Sequence, residues 1–317
     1  MSRSHRSIAC LLGLLSLAQA CGDDDRLPLP EVVREGSICE DTQDCVLPSD
    51  EVGSLPGSAT VLDDGSTSYH LPLALPPGRR GIAPNLSLGY NSGTVAETHF
   101  GVGWSLSGLS RIRRCARTVG IDGLRERVTF SKQDAICLDG RRLVLIEGEP
   151  GTSGSTYKAR IEGADRVVLQ GDLDSPGVSF VVHVRNGGTR YFGGAGNATV
   201  QGPVVRPGRG GQLVEGPLVE FAWLERRTED RWGNYYTVRY RRIATKGAEV
   251  VPESIQYTGH EGLGDGERRV TFDWSDRPDP SSAFIAGFEL GTTVRLAELS
   301  SFAPRRNGSS CLLYTSD

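Results

Sequence analysis

The sequence predicts a mainly β protein, built from many short antiparallel strands with Gly/Pro-rich turns in a sandwich- or barrel-like arrangement. Apolar and polar residues alternate over short runs, first at residues 68–75 and again at 86–90. This period of two is typical of a strand with one buried face. Most of the 41 glycines and 17 prolines fall between such runs, where tight turns need them.

Each run predicts one strand. Pro72 lies inside the first run and cannot donate a backbone hydrogen bond, so it predicts an edge strand. Asp230, Gly233 and Asn234 predict a turn, with Trp232 and the tyrosines that follow it packed on the sheet. Further strands are predicted at residues 167–169, 178–184, 189–192, 218–224, 235–240, 254–257 and 269–274.

The first twenty residues predict a signal peptide. Two arginines precede a short apolar run at residues 8–17, and Ala18-Gln19-Ala20 forms a cleavage site. Cys21 follows directly, as in a bacterial lipoprotein, although Ala18 stands where leucine is commonest. We expect an exported protein, either an outer-membrane or cell-surface lipoprotein with a lipid on Cys21, or a freely secreted, extracellular chain.

The mature chain divides by composition. Residues 21–57 are acidic and rich in proline, which predicts a tether. Residues 58–306 carry the strand pattern and predict the β module. The β pattern stops abruptly at residue 306, and residues 307–317 resemble translated sequencing-adapter DNA. This segment therefore predicts a non-native tail on a fragment of a larger protein.

The cysteines indicate disulfides rather than a metal site. Cys39 and Cys45 bracket a short acidic loop, and Cys115 with Cys137 would close a loop of roughly twenty residues. Export permits both bonds. Zinc sites need four closely spaced ligands, and the sequence has no paired C-x-x-C motif.

The charge pattern argues against nucleic acid as a partner. The formal net charge is −4, so no general basic field exists. The sharpest basic cluster consists of Arg111, Arg113, Arg114 and Arg117. Its lack of interleaved aromatic residues favours pairing with acidic neighbours.

No motif predicts a catalytic residue, a bound metal or a cofactor. The histidines are scattered, and Asp172 with Asp174 supplies only a fragment of a calcium loop. Gly101-Val102-Gly103 fits a β turn, because no helix-forming segment follows it. If Trp104 beside that turn is fully packed, its replacement by alanine would cost about 3–5 kcal/mol.

Four blocks, in order, resemble a known family. They lie at residues 65–115, 137–144, 230–240 and 255–279, and the first includes Gly101-Val102-Gly103-Trp104 and Arg114-Cys115. This pattern is similar to the N-terminal module of SpvB, the virulence plasmid B protein. The same module opens the B component of insecticidal toxin complexes.

The resemblance implies a β-rich module. In toxin-complex B components such a module precedes a propeller and an Rhs-type shell, whereas in SpvB it precedes an ADP-ribosyltransferase domain. We therefore expect a non-catalytic structural and interaction module of an exported virulence or toxin protein, with other toxin-complex or Rhs-type segments as partners. Two alternatives stay open: a scaffold for a toxin enzyme whose catalytic domain lies elsewhere, and a surface adhesive or carbohydrate-binding lipoprotein module.

Overall fold

The described chain consists almost entirely of antiparallel strands. A computed structural model describes residues 57–160, 165–244 and 247–304, together with the backbone of residues 310–316. The only helical segments in these ranges are α1 (Val119–Asp122) and two single 3-10 turns, at Arg79–Gly81 and Arg209–Gly211. The prediction of a mainly β chain is confirmed.

Strands β1 to β20 follow one another as Ser58–Val61, Thr67–Pro72, Ser87–Asn91, Glu97–Thr98, Gly101–Val102, Trp104–Ser107, Arg111–Cys115, Ala135–Leu138, Arg141–Glu147, Thr156–Ala159, Arg166–Gln170, Ser179–His183, Thr189–Gly193, Thr199–Pro207, Leu213–Glu229, Asn234–Arg242, Val250–His260, Arg268–Ile285, Phe288–Pro304 and Ser310–Ser316. In the part of the chain that the structure describes, no helix has the length and apolar character needed to cross a membrane.

The N-terminal sheet has the strand order β1-β2-β3-β6. The expectation that Pro72 marks an edge strand is wrong, because β2 lies between β1 and β3. Pro72 is the last residue of β2 and pairs with Ser87 of β3. On the other side of β2, the pairing with β1 ends at His70, two residues before Pro72. The missing N–H of Pro72 therefore faces no neighbouring strand, and the sheet tolerates it.

Strands β7 to β13 and β15 close into a barrel of eight strands. Each strand from β7 to β13 pairs with the next, and β15 pairs with both β7 and β13. Inward-facing residues such as Ile112, Val167, Phe180, Phe192 and Trp223 are fully buried. The interior is a packed core, as expected for a ring of eight strands.

Strand β15 also belongs to a second ring. It pairs with β14 from Leu213 to Trp223 and with β16 at its end. Strands β16 to β19 pair in sequence, and β19 returns to β14 through Phe288 and Val204. A second core packs on these strands, and Leu73 and Leu86 from the N-terminal side join it. The 17-residue β15 therefore joins the two rings.

Several strands are longer than the sequence predicts. Strand β15 continues past Gly216 and Pro217, and β18 continues past Pro278 and Pro280. These residues fall where the pairing register shifts, between Pro203 and Val205 opposite β15 and between Asp276 and Ser281 in β18. A bulge leaves residues unpaired without ending the strand. Turn-forming residues therefore mark irregularities here, not strand ends.

The backbone of β20 pairs with β19. Residues 307–309 and 317 lie outside the described residues, as do residues 1–20 and nearly all of 21–57. The signal peptide, the tether and the non-native tail therefore stay predictions.

Candidate functional site

Strand β7 divides the basic cluster between two faces. Ile112 and Arg114 point into the barrel and are 0% and 1% exposed. Because side chains alternate along a strand, Arg111, Arg113 and Cys115 point outward. The pleat therefore separates arginines that are neighbours in the sequence.

Arg114 is a buried ion-pair hub inside the barrel. Its guanidinium donates to the Asp134 carboxylate at 2.8 Å and to the carbonyls of Glu220 and Ser131 at 2.8 and 3.0 Å. It also donates to the Leu173 carbonyl. Burial lowers the pKa of Arg114, and Asp134 opposes that shift. With every nitrogen bonded, this group holds strands together and is closed to a ligand.

The prediction that the basic cluster pairs with acidic neighbours holds for two of its members. Arg114 pairs with Asp134, and Arg117 pairs with Glu126 at 3.1 Å. Arg111 and Arg113 form no ion pair with any residue that the structure describes. These two side chains line a cavity, and the nearby Asp139 acts on Arg111 through its charge without forming an ion pair.

The cavity has a volume of about 1400 Å³ and is partly open to solvent. It lies between the N-terminal sheet, the outer face of the barrel and the second ring. Its lining includes hydroxyls of the N-terminal sheet, arginines of β7 and aromatic side chains of the second ring, namely Ser87, Ser105, Ser107, Arg111, Arg113, Trp232, Tyr236, Tyr240 and Trp274.

Glu225 is a fully buried carboxylate where the two rings meet. Arg190 pairs with this carboxylate at 2.6 Å. The carboxylate also accepts hydrogen bonds from the Tyr236 hydroxyl at 2.9 Å, the Ser110 amide at 3.1 Å and the Thr228 hydroxyl. Burial opposes the charge of Arg190, but the Glu225 carboxylate outweighs it and raises the Arg190 pKa. Burial, together with Glu225, also raises the pKa of Tyr236.

Glu249 is a second buried carboxylate at the cavity wall. Burial alone would raise its pKa, but hydrogen bonds from His99 at 3.0 Å, from the Thr293 hydroxyl and amide at 2.6 and 2.8 Å, and from the Val294 amide at 3.2 Å outweigh burial. They lower the pKa of Glu249 to about 2. The carboxylate therefore stays charged in the fold.

Sequence reasoning missed both carboxylates. For Glu225 a signal exists: it follows Trp223 by two residues, so alternation places both on the same face. A glutamate on a buried face predicts a paired charge. For Glu249 no such signal exists, since it comes just before β17 and its partners come from distant strands.

The turn at residues 230–234 forms as predicted. The Asp230 carboxylate accepts the Trp232 and Asn234 amides at 2.8 and 3.0 Å, and Gly233 adopts a φ of 78°. Trp232, however, is 49% exposed, so its predicted packing on the sheet is wrong. The guanidinium groups of Arg80 and Arg231 instead lie over its ring, 5.1 and 4.3 Å from the ring centroid.

The remaining candidate residues either form structural contacts or lie outside the described residues. Cys115 and Cys137 form a disulfide on the outer face of the barrel, with Cα atoms 6.1 Å apart. Lys132 bonds Asp172 at 2.6 Å, and no metal-ligating cluster occurs among the described residues. The candidates Cys21, Cys39 and Cys45 lie outside the described residues.

Comparison with known proteins identifies the family. The model of the family "SpvB: Salmonella virulence plasmid 65kDa B protein" matches residues 62–261. No curated protein sequence matches significantly.

Solved structures share the fold. The N-terminal domain of effector protein SpvB from Salmonella typhimurium strain LT2 matches with a TM-score of 0.57 at 18% identity, over 76% of this chain and 91% of that one. The TcdB2–TccC3 crystal structure and the Photorhabdus luminescens Tc holotoxin pore each match with a TM-score of 0.61 at 18% identity, over 83% of this chain. The chain spans only 15% and 14% of the length of those two chains. Because the family model covers well over half of the sequence, the chain belongs to the SpvB family.

Proposed function

We propose that this chain is a non-catalytic structural and interaction module of an exported SpvB-like or toxin-complex-B-like protein, in which it precedes a propeller and an Rhs-type shell. Family membership supports the class of protein. Its partners are then other toxin-complex or Rhs-type segments.

The observation that carries the non-catalytic role is the saturation of the buried charged groups. Arg114 is bonded to Asp134, and Glu225 to Arg190. Such pairs connect strands that are distant in the sequence. A general acid, base or nucleophile must instead present a reactive atom to a substrate. Saturated pairs of this kind support a role in holding the module rigid.

Turnover of NAD is the direct test of the non-catalytic part. The purified full chain is incubated with NAD⁺ and a mixture of acceptor proteins, and nicotinamide release is followed beside an active ADP-ribosyltransferase as a positive control. We expect release no faster than with heat-denatured chain. Release above that background would contradict the proposal.

The interaction part has its own test. The full chain is mixed with a purified propeller and Rhs-type shell segment of a toxin-complex protein, and the mixture is analysed by size-exclusion chromatography. We expect a stable complex. Failure to co-elute at micromolar concentration would count against the interaction role.

Export and anchoring belong to the same proposal. A lipid on Cys21 would hold the module at a membrane, and free secretion is the alternative. The mass of the N-terminal peptide from the mature protein decides between them. A peptide that still contains residues 1–20 would contradict both.

A further inference from the structure

The cavity holds positive charge that the described carboxylates leave unpaired. From this charge we propose that the cavity is a docking site for an extended acidic polypeptide whose carboxylates are two residues apart. This inference deepens the proposed interaction role and rests on it.

The acidic groups of the cavity wall already have protein partners. Glu249 is bonded to His99, and Glu229 is paired with Arg227 at 2.7 Å. Asp230 is occupied by the amides and the side-chain amide of its own turn. These carboxylates have little capacity left to neutralise a cation across the cavity.

Asp139 is the carboxylate whose charge acts on Arg111. Its oxygens accept the Ser110 hydroxyl at 2.6 Å and the backbone amide of Arg111 at 2.9 Å. Neither bond involves a guanidinium. Asp139 therefore orders the start of β7 and leaves both arginine heads free within the described chain.

The two guanidinium groups repel each other where they stand. Burial lowers the pKa of Arg111, and the neighbouring charge of Arg113 lowers it further. Asp139 counters only part of this effect. Two like charges on one strand face, without an ion-pair partner among the described residues, cost free energy in the free protein. A ligand that supplies two carboxylates would remove that cost through charge-assisted, bidentate hydrogen bonds.

Spacing favours a polypeptide in the extended conformation. Arg111 and Arg113 share one strand face, so their Cα atoms are about 6.5–7 Å apart. Alternate side chains of an extended peptide repeat at the same distance. Acidic residues at positions i and i+2 would thus face the two arginines.

The cavity also borders a sheet edge that no other described strand pairs with. Strand β6 is the last strand of the N-terminal sheet, and its residues Ser105, Leu106 and Ser107 line the cavity. An extended polypeptide can pair with such an edge, whereas an oligosaccharide or a free anion cannot. The volume of about 1400 Å³ exceeds the ~300–1,000 Å³ of typical small-molecule pockets. Both features favour a polypeptide.

The chain provides a matched control pair. Arg125 and Arg127 are also two residues apart, are exposed and have no ion pair among the described residues, but they do not line the cavity. If unpaired positive charge alone attracted acidic peptides, both pairs would contribute equally. The proposal requires that only the cavity pair matters.

Fluorescence anisotropy with the full chain tests this requirement. The probe is a labelled peptide of alternating glutamate and threonine, at physiological salt. We expect R111Q/R113Q to weaken binding at least about tenfold and R125Q/R127Q to weaken it less than about twofold. R111K/R113K should weaken binding by an intermediate factor, because lysine keeps the charge but not the bidentate hydrogen bonds. Circular dichroism of each variant checks that the fold is retained.

Specific outcomes would overturn the inference. The inference fails if the alternating peptide does not bind, or if the control pair weakens binding as much as the cavity pair. It also fails if a peptide of the same composition with its glutamates in one block binds equally well. Tighter, Arg111- and Arg113-dependent binding of a sulfated oligosaccharide or inorganic phosphate would show that the ligand class is wrong. If the peptide does not bind and the chain does not turn over NAD, this inference fails but the proposed non-catalytic role stands.

Discussion

The two rings of strands share β15 but bury charge in different ways. In the barrel, Arg114 and Asp134 lie inside a closed core, beside Trp223 and other fully buried apolar side chains. At the second ring, Glu225 is buried where the two rings meet, and Glu249 lies at the wall of a cavity of about 1400 Å³. The partners of Glu225 come from both rings, and those of Glu249 come from the second ring and from the segment between β4 and β5.

This difference separates residues that stabilise the fold from residues that can bind a partner. A close-packed barrel interior has no room for a ligand, so its inward-facing residues act on stability. A cavity wall with its acids neutralised and two arginines left unpaired can act on a partner. Removing barrel groups should therefore destabilise the fold, whereas removing the cavity arginines should change binding.

The largest expected effect is on the barrel hub. Replacing Arg114 with methionine leaves Asp134 as a buried charge without its cation, and we expect a loss of about 3–5 kcal/mol of unfolding free energy. Denaturant unfolding measures it. Arg113→Met, one residue away but outward-facing, is the control and should change stability by less than about 1 kcal/mol. Equal losses for both variants would contradict the division of β7 into two faces.

Trp223 and Trp104 allow a comparison between a fully buried and a half-buried ring. Trp223 is fully buried and packs edge-on against Phe180 with ring centroids 4.9 Å apart, so Trp223→Ala should cost about 3–5 kcal/mol. Trp104 is only half-buried, against Tyr90 and Tyr69. Because Trp104 is not fully packed, we expect Trp104→Ala to lower the unfolding free energy by only about 1–2 kcal/mol. Denaturation curves of the two variants give the ranking, and the reverse ranking would refute it.

The disulfide should stabilise the outer face of the barrel. Cys115 and Cys137 are 22 residues apart in the sequence, and the chain-entropy model assigns such a loop about 3 kcal/mol. The double variant C115S/C137S should lose that amount, and reduction of the wild type should lose a similar amount. Mass mapping after non-reducing digestion must also find the cross-linked peptide. Two free thiols in the exported protein would contradict the bond.

The smallest effect concerns acid stability at the cavity wall. The pKa of Glu249 falls from 4.5 to about 2 on folding, so its contribution is present above about pH 4.5 and is lost as the pH falls toward 2. Other carboxylates with lowered pKa values act in the same direction. The test is therefore the difference in melting temperature between wild type and Glu249→Gln. That difference should shrink across this window, and a constant difference would show that Glu249 does not titrate there.

Local pattern predicted the strands but not their ends or their neighbours. Alternation located β2, β3, β11, β12 and β13 to within a few residues. It placed Pro72 at a sheet edge, because a sequence shows the missing donor and not which strand lies beside it. It also began β15 too late and ended β18 too early, since a bulge and a turn use the same residues.

The candidate site was predictable only in part. The cluster at residues 111–117 stood out, and its assignment to a strand placed Arg111 and Arg113 on one face. The partners of each arginine stayed beyond prediction. Asp134 reaches Arg114 from the segment before β8, and Glu220 reaches it from β15. Such contacts depend on strand pairing between distant segments.

The sequence by itself determined the β class, the positions of most strands and the family resemblance, because these depend on alternation, turn residues and short motifs. Only the tertiary structure decided that eight strands close into a barrel and that β15 belongs to two rings. Closure joins β7 to β15, roughly a hundred residues apart, and no local preference encodes that pairing. The same closure sends Arg114 into a core and leaves Arg111 and Arg113 facing a cavity.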